Sequence, residues 1–167
     1  MVDWRTELRA LAALERADPF PLVLYAVNAP TQTPWPAELA SPSAAVREFY
    51  QLCDGGYLGG HHRWLSVGEL LAENRHWWDL LAGGGPLDSA RHVLVAYDVS
   101  GFPIVWDSHT DRLATYFYRD EGDLESPGRT LDHFMSELFS TTYPDDVWQE
   151  ALRLCRTPAD AAPRPSP

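Results

Sequence analysis

RHVLVAYDVSGFPIVWDSHTDRLATYFY, residues Arg91 to Tyr118, is the stretch that decides the fold. Val93, Val95 and Tyr97 alternate with Leu94, Ala96 and Asp98, and two further apolar runs follow, Phe102 to Asp107 and Leu113 to Tyr118. The pattern predicts three strands. Ser100-Gly101 is a two-residue connection whose glycine adopts positive φ at little cost, and Ser108 to Asp111 is polar and turn-forming. Successive strands are therefore expected to pair antiparallel as a meander. Pro103 removes one ladder donor, so its position is expected to face away from a neighbour or to lie on an edge. Three strands need one face covered in water, which requires the flanking segments to pack on them as helices. The expected class is α+β, a twisted, mainly antiparallel sheet with helices packed on it.

The flanks carry that helical signal. Trp4, Leu8, Leu11 and Ala12 fall at helical spacing up to a stop at Asp18-Pro19. Leu22 to Val27 reads as one more strand or as a buried extended connection. The proline-rich stretch Asn28 to Pro42 reads as a loop, within which Trp35 either packs down to pin the chain or stands exposed as a contact anchor. Ser41 or Ser43 caps a helix through Val46, Phe49, Tyr50 and Cys53, with Gly55-Gly56 as its stop. His62 to Leu65 reads as a short strand. Ser66-Val67-Gly68-Glu69 then has the form of a capping box, starting a helix with Val67, Leu70, Leu71, Trp77, Trp78 and Leu81 on one stripe. Asn74 lies within that stripe and needs a partner if buried. Gly83 to Pro86 closes the helix. Beyond the strands, Arg119 to Glu125 reads as an acidic loop with little to pack. Thr130 caps a helix through Leu131, Phe134, Met135, Leu138 and Phe139, and Tyr143-Pro144 breaks it. A last helix from Asp145 carries Val147, Trp148, Ala151, Leu152 and Cys155. Residues 1–156 are expected to form a single domain, and the proline-rich 157–167 a disordered tail.

Composition narrows the chemistry. The 167 residues carry a formal net charge of -11, which argues against nucleic acid as a direct partner, because phosphate neutralisation needs a basic surface. All 13 basic side chains are arginine. Lysine Schiff bases and the phosphate-loop lysine are therefore excluded. No apolar run approaches the roughly 20 residues of a membrane span. The opening residues do not form a secretory signal, and the two cysteines, Cys53 and Cys155, are expected as reduced, buried thiols of a cytoplasmic protein.

No catalytic pattern emerges. The six histidines, His61, His62, His76, His92, His109 and His133, lack metal-ligand spacing, so neither a metal nor another cofactor is expected. Asp107 to Asp111 imitates the start of a calcium loop but lacks the middle acid, the glycine and the terminal glutamate. Gly83-Gly84-Gly85 lies between helix and strand, the reverse of the order that aims a helix N-terminus at phosphate.

The order of signals resembles a known superfamily. A helix ending in Asp54-Gly55-Gly56 is followed by a short extended piece and the capped helix Leu65-Ser66-Val67-Gly68-Glu69-Leu70-Leu71. Tyr97-Asp98-Val99-Ser100-Gly101, a hairpin ending Trp106-Asp107, and the helix Thr130 to Met135 complete it. From about Ser43 to Phe139 this is similar to the SUKH superfamily, whose members include bacterial immunity proteins and the yeast Smi/Knr cell-wall regulators. Phe20 to Trp35 departs from the plain leading helix such a likeness would predict. The resemblance implies an α+β domain without catalytic activity that binds and blocks a toxin domain, often a nuclease or deaminase.

The charge agrees with that implication independently, since a nuclease needs a basic surface that an acidic protein can occupy. The expected contact residues are Asp107, Asp111, Asp120, Glu121, Asp123 and Glu125, with Trp35 as an anchor. Two other readings use the same residues. One is a regulatory or scaffolding protein-binding module. The other is a small-molecule-binding accessory protein with a pocket among Trp64, Trp77, Trp78 and Trp106.

Overall fold

A computed structural model describes residues 3–17, 27–58, 62–81, 85–118, 122–124 and 128–142. The elements run α1 (Trp4–Ala17), α2 (Ala44–Leu52), β1 (Gly56–Leu58), β2 (His62–Trp64), α3 (Val67–Leu80), β3 (His92–Tyr97), β4 (Pro103–Asp107), β5 (Arg112–Phe117), β6 (Asp123–Leu124) and α4 (Leu131–Thr142). The six strands lie in chain order, and every neighbouring pair is antiparallel. The expected α+β architecture is present, and the central meander extends by two strands before it and one after.

Helices cover both faces. Trp64 and its partner Ala96 point to one side, where Trp64 meets Phe49 of α2 and Phe134 of α4. Tyr97, the next residue along β3, points to the other side, where α3 receives it. The α1 helix closes the first side. Its Trp4 and Leu8 are buried, Trp4 Nε1 donates to Asp132 of α4, and Arg5 bridges Asp132 and Glu48 of α2.

Local signals behave as the sequence predicts at most helix starts. Ser43 Oγ accepts from Val46 N, and Thr130 Oγ1 accepts from His133 N. Glu69 accepts from both the backbone N–H and the hydroxyl of Ser66, and Asp54 Oδ1 takes the Val67 N–H at 2.7 Å. Asp54 thereby ties the end of α2 to the start of α3.

Three details depart from the local reading. Gly55-Gly56 does not cap α2, because Cys53 already leaves the helix in an extended conformation. Gly55 is needed for a close approach instead: at φ 73° a side chain there would meet the Leu65 carbonyl at 2.6 Å. Pro103 agrees with its expected placement: it opens β4 opposite Tyr97 and has no partner on the β5 side, where that ladder has stopped. The β3–β4 connection is the longer Val99-Ser100-Gly101, closed by Asp98 N donating to Phe102 O. The Asp98 carboxylate organises it by accepting from Ser100 N and Phe102 N. Finally, Asp123 and Leu124 are a strand rather than loop, paired with Phe117 and Tyr116. Of the run Leu22 to Val27, only Val27 is among the described residues, where it bridges to Gly56. The Asp18-Pro19 and Tyr143-Pro144 breaks, the last helix with Cys155, and the tail lie outside them.

Asn74 resolves the chief puzzle of the α3 stripe. The chain leaves the sheet after Trp64 to enter α3, so the Leu94 N–H and C=O, which face that side, lose their strand neighbour. Asn74, 1% exposed, replaces it: its Oδ1 accepts from Leu94 N at 2.8 Å and its Nδ2 donates to Leu94 O at 3.0 Å. Asn74→Leu orphans both buried backbone groups, and each orphan costs about 1–3 kcal/mol. Urea denaturation should therefore show a loss of about 3 kcal/mol for that variant. A change below about 0.5 kcal/mol, the range of ordinary surface substitutions, would refute this role.

Candidate functional site

The expected contact residues fall in different places. Trp35 is pinned: its Nε1 donates to Ala40 O at 3.0 Å and its ring meets Tyr50 edge-on at 5.6 Å. It secures its loop against α2. Asp107 and Asp111 sit at the β4–β5 turn, and both are committed internally. Arg91 grips Asp107 through Nε and Nη2, and Thr110 Oγ1 and His109 N donate to the same carboxylate. These bonds, those of Arg91 foremost, hold the Asp107 carboxyl well below the usual carboxylate range. Asp111, at φ 54°, accepts from Trp106 Nε1. These two acids build a turn. Asp120, Glu121 and Glu125 lie outside the described residues.

Asp123 is placed differently. It stands opposite Phe117 at the other end of the strands, where the described surface gathers its aromatic rings. Ring centroids succeed one another from Tyr116 to Trp77 at 6.1 Å, Trp77 to Tyr118 at 5.3 Å, Tyr118 to Phe102 at 5.4 Å and Phe102 to Phe117 at 5.3 Å. Tyr116 is the buried base of this row, and Tyr118 is 37% exposed. Leu80, one helical turn beyond Trp77, is 61% exposed, and Val99 at the hairpin tip is 72% exposed. Tyr57 on β1, 47% exposed, is a further exposed apolar side chain among the described residues.

Carboxylates border the rings. Glu73 accepts from Tyr97 OH at 2.7 Å, and that hydroxyl accepts from Trp77 Nε1 at 2.9 Å. Burial and the Glu73 hydrogen bond push the Tyr97 hydroxyl up to about 12, so it stays a donor. Asp98 organises the hairpin that carries Phe102. Among the described residues no cation pairs with Glu73, Asp79, Asp98 or Asp123, whereas Glu38, Glu48, Glu69, Asp107, Asp132 and Glu137 each hold an arginine. Arg63, whose Cζ lies 5.9 Å from the Tyr97 ring centroid, is already paired with Glu69.

The other chemistry-bearing groups are structural. Cys53 is buried, and burial pushes its thiol up to about 12, far from a reactive thiolate. Trp64 and Trp106 are core residues, while Trp77 and Trp78 are half-buried. Among the described residues, no three His, Cys, Asp or Glu side chains are placed to hold a metal, and no helix is long and apolar enough to cross a membrane.

The sequence pattern places Trp77 on the α3 stripe or in a pocket with other tryptophans, and Tyr118 at the end of a strand. One signal pointed further. Trp77, Trp78, Leu80 and Leu81 wrap more of α3 than one buried stripe needs, so part of that surface had to face out. No family model, curated protein or solved structure matches the chain.

The Arg91–Asp107 corner carries a pH dependence. His92 is buried beside it, and its Nδ1 accepts from Asp88 N at 2.8 Å, so protonation would turn that acceptor into a second donor. Burial, the leading cause, lowers the affinity of His92 for a proton below its ordinary value. The unfolded chain then binds the proton more readily. Stability from this group is complete above about pH 6.5 and declines as pH falls below it, by at most about 1.4 kcal/mol per pH unit. His92→Asn keeps an acceptor but cannot titrate. Thermal unfolding should show the variant losing less stability than the parent between pH 7 and pH 5, and parallel curves would refute the assignment.

Proposed function

We propose that this chain is a non-catalytic immunity protein that binds a basic toxin domain, of the nuclease or deaminase class, and blocks it by covering its working surface. The observation that carries the proposal is the presence of exposed apolar side chains together with carboxylates that have no cationic partner among the described residues, on a chain of net charge -11. A surface of that kind gains on both terms of association: apolar burial supplies affinity, and the charge steers a basic partner to it. The inert Cys53 and the structural use of Asp107 and Asp111 favour binding over chemistry. A toxin of the nuclease class needs a basic face for its own substrate, which makes that face the natural target.

A scaffolding role would use the same face for a partner that is not a toxin. Genomic context separates the two, since an immunity protein is expected beside a toxin gene.

The test begins with whatever co-purifies from the native host. The captured protein should be basic and should inhibit growth when expressed alone. One equivalent of this chain should relieve that inhibition. The association rate should fall about ten-fold as salt rises from roughly 20 to 200 mM, the behaviour of electrostatic steering. An acidic partner, or an association rate indifferent to salt, would sink the proposal.

A further inference from the structure

We infer that residues 85–90, in the connection from α3 to β3, form a strap that a proton on His92 opens. The device belongs to the fold itself and stands whatever partner the chain binds.

Both ends of the strap are held by named contacts. A side chain added at Gly85 would touch Leu81 of α3 at 3.4 Å, and one added at Gly122 would stand 3.2 Å from the Tyr116 hydroxyl and 3.9 Å from Pro86 Cδ. Pro86 therefore lies beside Tyr116, which is buried. The far end is a turn. Asp88 O accepts from Arg91 N at 3.0 Å and from His92 N at 2.7 Å, and the Asp88 carboxylate accepts from Ala90 N at 2.9 Å. Asp88 N closes it by donating to His92 Nδ1 at 2.8 Å. Only that last bond hangs on a group that titrates near neutrality.

Two donors cannot share the contact. His92 is 7% exposed, and its Nδ1 accepts only while the ring is neutral with its proton on Nε2. An imidazolium turns an N–H toward the Asp88 N–H, so the Asp88 backbone must swing away. The same residue offers the replacement. Its carboxylate holds the exposed Ala90 N–H, which water can satisfy, and once released it accepts from the imidazolium. The turn thus has two states, with His92 bound to the Asp88 backbone or to its carboxylate.

The surroundings set where the strap opens. Among the described residues, the charged and titratable groups acting on His92 are Asp88 in the strap, Arg91 beside it, Asp107 across the ladder on β4 and His109 in the β4–β5 turn. The two aspartates favour the imidazolium, Arg91 and His109 oppose it, and burial opposes it most. Opening is therefore expected below about pH 6.5. Arg91 stays behind, because Asp107 grips its guanidinium and Ser108 N donates to its carbonyl. Movement is confined to the residues before it.

The full chain, labelled with nitrogen-15, is followed by two-dimensional NMR from about pH 7.5 to about pH 5, at a temperature where it stays folded. The His92 ring should titrate with a midpoint below about 6.5, and the Gly85, Asp88 and Ala90 amides should shift with that midpoint while those of α1 and α4 stay fixed. His92→Asn should abolish these shifts. Asp88→Asn keeps the backbone N–H but removes a carboxylate that favours the imidazolium, so it should lower the midpoint by roughly half a pH unit. A ring that does not titrate before the whole chain unfolds, a titration that leaves the Asp88 amide in place, or strap amides that still titrate in His92→Asn would overturn the device. Should His92→Asn fail to fold, Asp88→Asn decides: an unmoved or raised midpoint there would overturn it as well.

Discussion

The Leu94 backbone is where this fold could have failed. Once β2 turns away into α3, an N–H and a C=O in the middle of the sheet have no strand beside them, and water cannot reach them. An unsatisfied pair there would cost a sizeable fraction of the 5–15 kcal/mol that typically holds a domain together. The Asn74 side-chain amide offers one donor and one acceptor in the geometry of a peptide, and so stands in for the missing strand. Asn74 fixes α3 against β3 together with the Glu73 and Trp77 contacts to the Tyr97 hydroxyl. It also fixes where Glu73 and Trp77, its neighbours on the helix, are delivered.

That delivery links the core to the surface. Trp77 reaches the Tyr97 hydroxyl and the rings of Tyr116 and Tyr118, so the aromatic row is an extension of the way α3 is docked. Acidic residues are sorted by the same architecture. Some carboxylates that join helices and turns are held by arginines, as Asp132 and Glu48 are by Arg5 and Asp107 is by Arg91, and others by backbone or indole N–H groups, as Asp54, Asp98 and Asp111 are. Near the aromatic row, Glu73, Asp98 and Asp123 have no such partner among the described residues. Surface ion pairs add little stability in general. Their distribution here matters more for where negative charge remains available.

Much of the local structure could be read along the chain because its causes are local. Ser43 and Thr130 cap their helices through hydrogen bonds three residues long, and the alternation of β3 to β5 is enforced by the pleat itself. The errors arose where distant segments set the terms. Gly55 resembled a helix stop, but its conformation is demanded by the Leu65 carbonyl. Asp123 resembled loop because its strand partner, Phe117, already looked complete within its own hairpin. Asp107 and Asp111 looked like free acids for the same reason. Their partners, Arg91 and the Trp106 indole, become visible only when strands are laid side by side.

By itself the sequence determined the class of fold, the helix caps, the antiparallel meander, the absence of lysine chemistry and the strong negative charge, all of which depend on residue identity and short-range periodicity. Tertiary structure alone decided which acids are spent on the fold and which stay open, and that the rings of α3, β5 and the β3–β4 hairpin form one row. The physical reason is that a side chain's availability depends on what the rest of the chain brings within hydrogen-bonding reach, and no window of neighbouring residues contains that information.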